Sequence, residues 1–108
     1  VEETKIFTVV EQMPMYPGGD AALMGYLRDN IKYPTVAAEN GVQGRVVVGF
    51  VVERDGSITD VNILRGVDPS LDREAMRVVK SMPRWNPGKQ NGSAVRVKYQ
   101  VPVSFRLQ

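Results

Sequence analysis

The side chains able to do chemistry in this chain are carboxylates, amines, guanidiniums and hydroxyls, because it has neither histidine nor cysteine. That removes the commonest general base, the commonest metal ligand and the thiol nucleophile together. Disulfides and sulfur-held zinc go with them. Among the acids, Asp55 and Asp60 fall in a turn and a hairpin, and Asp72 and Glu74 in a first helical turn. There the last two complement a helix dipole. No serine stands in a Gly-x-Ser-x-Gly elbow, and a serine without histidine needs an unusual base. The chain is read as not an enzyme, with no cofactor and no metal.

Pro17-Gly18-Gly19-Asp20 ahead of a helix could hold an anion on free backbone amides. It lacks the Lys-Ser/Thr pair of a phosphate loop, so a capped turn is the better account. Lys and Arg number 14 against 12 acids, a net charge of +2, and they are scattered. Arg96, Lys98 and Arg106 share the polar face of one strand pattern, with Arg45 nearby. The aromatics that would stack bases, Tyr99 and Phe105, fall on the opposite face. No nucleic-acid partner is expected; a cationic face suits guidance of an acidic peptide.

At 108 residues the chain is expected to be one domain, with residues 1–19 an N-terminal extension and 20–108 the core. Residues 6–10 are a short strand candidate that Pro14 must end. Asp20 is placed to cap a helix to about Ile31, with Leu23, Leu27 and Ile31 on one stripe. Residues 35–40 read as one helical turn stopped by Gly41. Residues 44–52 are apolar on both alternating faces, as in a central strand. Asp55-Gly56 turns the chain into a return strand over 57–64. Asp68-Pro69 opens the clearest helix, with Leu71, Ala75, Val78, Val79 and Met82 at helical spacing and Pro83 after it. Residues 84–93 read as a loop anchored in the core by Trp85.

Residues 95–107 then alternate without a break, Val95, Val97, Tyr99, Val101, Val103, Phe105 and Leu107 on one face. The fold class expected is α+β. The hairpin and the C-terminal strand form a three-stranded antiparallel sheet, with two helices on one face and a further N-terminal strand as an option. The C-terminal strand sits at the edge, beside 44–52, with its other side open. Pro102 suits an edge, since proline in a central strand deletes a ladder bond. An open edge invites strand addition, or exchange between two copies. The longest apolar run, 46–52, is too short to span a bilayer. No signal peptide is expected within it, and a chain starting at Val1 is expected to be cut from a longer protein.

Several stretches together resemble the C-terminal domain of TonB over about residues 33–107. They are Tyr33-Pro34 with Ala37-Ala38, Gly41-Val42-Gln43-Gly44-Arg45-Val46, Asp55-Gly56, and Leu71-Asp72-Arg73-Glu74-Ala75. Met82-Pro83-Arg84-Trp85-Asn86-Pro87-Gly88-Lys89 and Val101-Pro102-Val103-Ser104-Phe105 complete the series. Residues 10–14 and 17–19 look like the longer Bacteroidetes-type version. The resemblance implies the periplasmic domain of an energy transducer anchored in the inner membrane of a Gram-negative bacterium. Such a domain binds the TonB-box peptide of outer-membrane receptors by strand addition. It passes on force from a proton-driven motor complex, reached through a segment outside this chain. The docked peptide is implied along Arg96, Val97, Lys98, Tyr99, Gln100, Val101, Val103 and Ser104, with further contacts at Asn30, Ile31, Lys32 and Tyr33. The family's best-studied members have Gln-rich residues where this chain has Asn30-Ile31-Lys32. The same domain fused to a membrane metallopeptidase-like sensor would be a sensing or interaction module, the alternative reading.

Overall fold

A computed structural model describes residues 5–107, and strand β2 (Gly44–Val52) is its spine. Val46, Val48, Phe50 and Val52 turn one face of β2 inward and are almost wholly buried. On one side β2 pairs antiparallel with β3 (Ile58–Arg65), through the turn at Asp55-Gly56. On the other it pairs antiparallel with β5 (Ser93–Phe105), from Val52 opposite Val97 to Gly44 opposite Phe105. The C-terminal strand thus lies beside 44–52, as expected.

Three helices cover the inward face. They are α1 (Asp20–Asn30), α2 (Thr35–Glu39) and α3 (Pro69–Lys80). Asp68 caps α3 by accepting the N–H of Ser70, with proline at the first turn. Leu71, Ala75, Val78 and Val79 of α3 and Leu23 and Leu27 of α1 share one cluster with β2 and β5. The reading of two helices is therefore one short, the third being the turn at 35–39. Asp20 is not the cap of α1: Gly19 holds that position with φ 89°, and Asp20 begins the helix. Among the described residues, no helix covers the far face of the sheet, and cover there is partial. Val51 is buried and Val47 half-buried.

The sheet is larger than the sequence suggests. Its order is β1-β5-β2-β3, where β1 is Ile6–Phe7, and β4 (Gly88–Gln90) also pairs with β5. The N-terminal strand exists but spans two residues of the five expected. It runs parallel to β5, with Ile6 opposite Arg96 and Phe7 opposite Val97. β4 lies inside the segment read as a loop. Asn91 and Gly92 turn it back onto β5 with φ of 53° and 79°, the left-handed geometry of a two-residue hairpin. The C-terminal strand is thus not open along its whole far side, a correction to the edge position expected for it. β1 occupies that side at Arg96 and Val97 because Val97 already has β2 on the other.

Candidate peptide-binding edge

Beyond Val97, no described strand pairs with β5 on the side away from β2. The backbone phase there follows from the hairpin. Glu53 donates its N–H to Ser57 at 2.8 Å and accepts from Gly56 at 2.9 Å, so its backbone groups face β3. Alternation turns those of Val52, Phe50, Val48 and Val46 toward β5. Their partners Val97, Tyr99, Val101 and Val103 face back toward β2. Lys98, Gln100, Pro102 and Ser104 are left with their backbone groups directed at the open edge. Pro102 fits this phase, because its missing N–H costs the β2 ladder nothing. The edge offers the N–H of Lys98, Gln100 and Ser104, and the carbonyls of all four.

The residues implied for peptide contact divide accordingly. Lys98, Gln100 and Ser104 are exposed and bring both backbone and side chain to the edge. Tyr99, Val101 and Val103 point their side chains to the core; Tyr99 packs 5.2 Å from the Trp85 ring and 6.0 Å from Phe50. Arg96 and Val97 lie where β1 already pairs. The Arg96 guanidinium is held by Glu53, with Nε–Oε1 at 2.7 Å. That hydrogen bond keeps the Glu53 carboxyl below its ordinary range.

The segment before Pro34 divides too. Ile31, the C-cap of α1, lines a groove with Pro102, Val103 and Ser104. Tyr33 sets its ring edge-on to Phe105 at 5.6 Å, and its hydroxyl donates to the Val42 carbonyl. Asn30 and Lys32 are tied to α3 instead. The Asn30 carbonyl accepts from Arg77 at 2.9 Å, and the Lys32 N–H donates to Glu74 at 2.7 Å. Arg77 also holds the Glu74 carboxylate at 2.6 Å, which lowers its pKa. The sequence reading gave no peptide role to Met24, Leu27 or Arg28, which line the groove with Ile31 and Arg106. The stripe of Leu23, Leu27 and Ile31 was visible; which part of it borders the β5 edge was not.

Among the described residues, no group of three or more acids is placed to hold a metal, and no helix is long and apolar enough to cross a membrane. The arrangement provides directed backbone donors and acceptors and a cationic fringe.

Comparison with known proteins places the sequence and the fold. The family profile described as Gram-negative bacterial TonB protein C-terminal matches residues 29–107. Protein TonB of Xanthomonas campestris is 34% identical over 77 residues, covering 70% of this chain and 34% of that protein. Protein TonB of Helicobacter pylori is 27% identical over 78 residues, covering 71% and 26%. The chain thus spans about a third or less of these relatives. In fold, it resembles the solution structure of the Helicobacter pylori TonB C-terminal domain, with TM-score 0.63 at 23% identity, covering 80% and 78% of the two chains. The Pseudomonas aeruginosa domain has TM-score 0.55 at 22% identity, covering 96% of each. With the profile spanning most of its length, the chain belongs to the TonB C-terminal domain family.

Proposed function

We propose that this domain is the receptor-binding part of a TonB-like energy transducer, sited in the periplasm and anchored to the inner membrane through a segment outside this chain. It binds the TonB-box peptide of outer-membrane receptors as an added strand on Lys98, Gln100, Pro102 and Ser104. Force from a proton-driven motor complex then passes through the domain to the receptor. One observation carries the reading: the open edge of β5 has its donors and acceptors in phase, on a strand whose apolar face is committed to the core. Affinity from backbone bonds depends little on partner sequence, which suits one transducer serving several receptors. Lys98 and Arg106 add a salt-sensitive attraction for acidic peptides. Strand exchange with a second copy of the chain would use the same edge, so dimer and peptide compete.

The test is an NMR titration of the 15N-labelled domain with peptides from receptor N-termini. The amides of Lys98, Gln100 and Ser104 should move most. Saturable binding that moves other amides and leaves those three unchanged would sink the proposal.

A further inference from the structure

The groove between α1 and the end of β5 lies beside the open edge. It has a volume of about 300 Å³, at the small end for a ligand pocket and right for one or two side chains. Its floor is apolar: Leu27 and Val103 are 6% and 1% exposed. Met24, 44% exposed, forms the rim with half-buried Ile31. Arg28 and Arg106 also line the groove. Arg28 also lies 3.5 Å from Asp29, but both are largely exposed, so that pair is weak.

From this we infer that α1 is a specificity wall: the groove selects added strands with an apolar side chain opposite Val103 and a carboxylate toward Arg28 and Arg106. The inference rests on the strand-addition reading. In an added strand, the residue opposite Val103 projects to the same face as Val103, the helix face. It therefore enters the space between Met24, Leu27 and Ile31. Its immediate neighbours project to the far face, beside Gln100, Pro102 and Ser104, where polar side chains are suited. An acid near the Arg28–Arg106 end meets two cations at an exposed rim. Met24, Leu27 and Arg28 precede the stretch matched by the family profile, which begins at residue 29.

The probes are two synthetic hexapeptides, acetyl-Asp-Thr-Val-Thr-Val-Thr-amide and its counterpart with Lys for Asp, titrated by NMR and calorimetry. The Asp peptide should bind more tightly than the Lys peptide by about three-fold or more, the scale of an exposed ion pair. Arg28→Glu should reverse that preference. Arg65→Glu, which changes net charge equally on β3, two strands from β5, should keep it. Met24→Asp, with its amide spectrum otherwise preserved, should weaken the Asp peptide at least ten-fold. If the edge amides move but both peptides bind equally and Arg28→Glu and Met24→Asp change nothing, the groove inference fails while strand addition stands. If neither peptide moves the amides of Lys98, Gln100 and Ser104, strand addition fails and the groove with it.

Discussion

Proline at Gln100 and proline at Tyr99 should have opposite consequences, although the two residues are neighbours on one strand. The Gln100 N–H faces the open edge, its side chain is exposed, and Pro102 already occupies the next position of the same phase. Gln100→Pro therefore spares the β2 ladder and should leave a folded domain. It removes one donor from the partner strand, worth about 0.5–1.5 kcal/mol net, or about 2- to 12-fold in affinity. The ring also intrudes where the partner backbone would lie, so the upper part of that range is expected. Tyr99 is opposite Phe50, in the phase that bonds to β2. Tyr99→Pro loses that ladder bond and the ring packed on Trp85 and Phe50, and should cost about 3 kcal/mol or more in stability. Thermal melts by circular dichroism give the stabilities, and calorimetry with a receptor peptide gives the affinities. A Tyr99→Pro variant as stable as the parent would refute both the backbone phase and the packing of that ring. If Gln100→Pro and Lys98→Pro both fold and bind as the parent does, no strand adds at this edge.

Substitutions at three further positions probe what holds the edge in place. Trp85 is 3% exposed amid Tyr16, Phe50 and Tyr99, so Trp85→Ala should cost about 3–5 kcal/mol by urea denaturation. Trp85→Phe should cost much less, since it also removes a buried indole N–H without a protein partner; a stable Trp85→Ala that had lost peptide binding would instead make Trp85 a contact residue. Gly56 has φ of 88°, and a Cβ there would sit 2.0 Å from the Trp85 carbonyl oxygen, so Gly56→Ala should lose more than about 2 kcal/mol; a melting temperature equal to the parent's would refute this. Because Arg96 lowers the Glu53 pKa in the folded state, the stability Glu53 contributes is present above its ordinary value of 4.5 and is lost as the pH falls through the depressed one. Melts from pH 7 to pH 3 should fall more steeply for the parent than for Glu53→Gln, and parallel curves would remove Glu53 from the acid response.

What was legible in the sequence was what repeats. The spacing of Leu71, Ala75, Val78 and Val79 makes α3, and the unbroken alternation after Val95 makes β5, because each pattern buries one face of its own element. β4 has no such pattern: Gly88, Lys89 and Gln90 offer no apolar face. That strand exists through the Asn91-Gly92 turn and through Lys89, which exchanges backbone bonds with Gln12 at 3.1 and 2.8 Å. The Asn-Gly pair was a hairpin signal in plain view, outweighed by the prolines around it. β1 is harder still, a two-residue parallel pairing some ninety positions from its partner, with no local period to announce it. The candidate site inherits that difficulty. An open edge is defined by where pairing stops, and here it stops because a distant segment ends at Phe7. Only Pro102 carried the phase of the edge in its own chemistry, since a proline on β5 could face β2 only by deleting a bond the ladder needs. Placing Lys98, Gln100 and Ser104 on the same side as Pro102 needs only the alternation of a regular strand, so one proline orients the whole candidate surface.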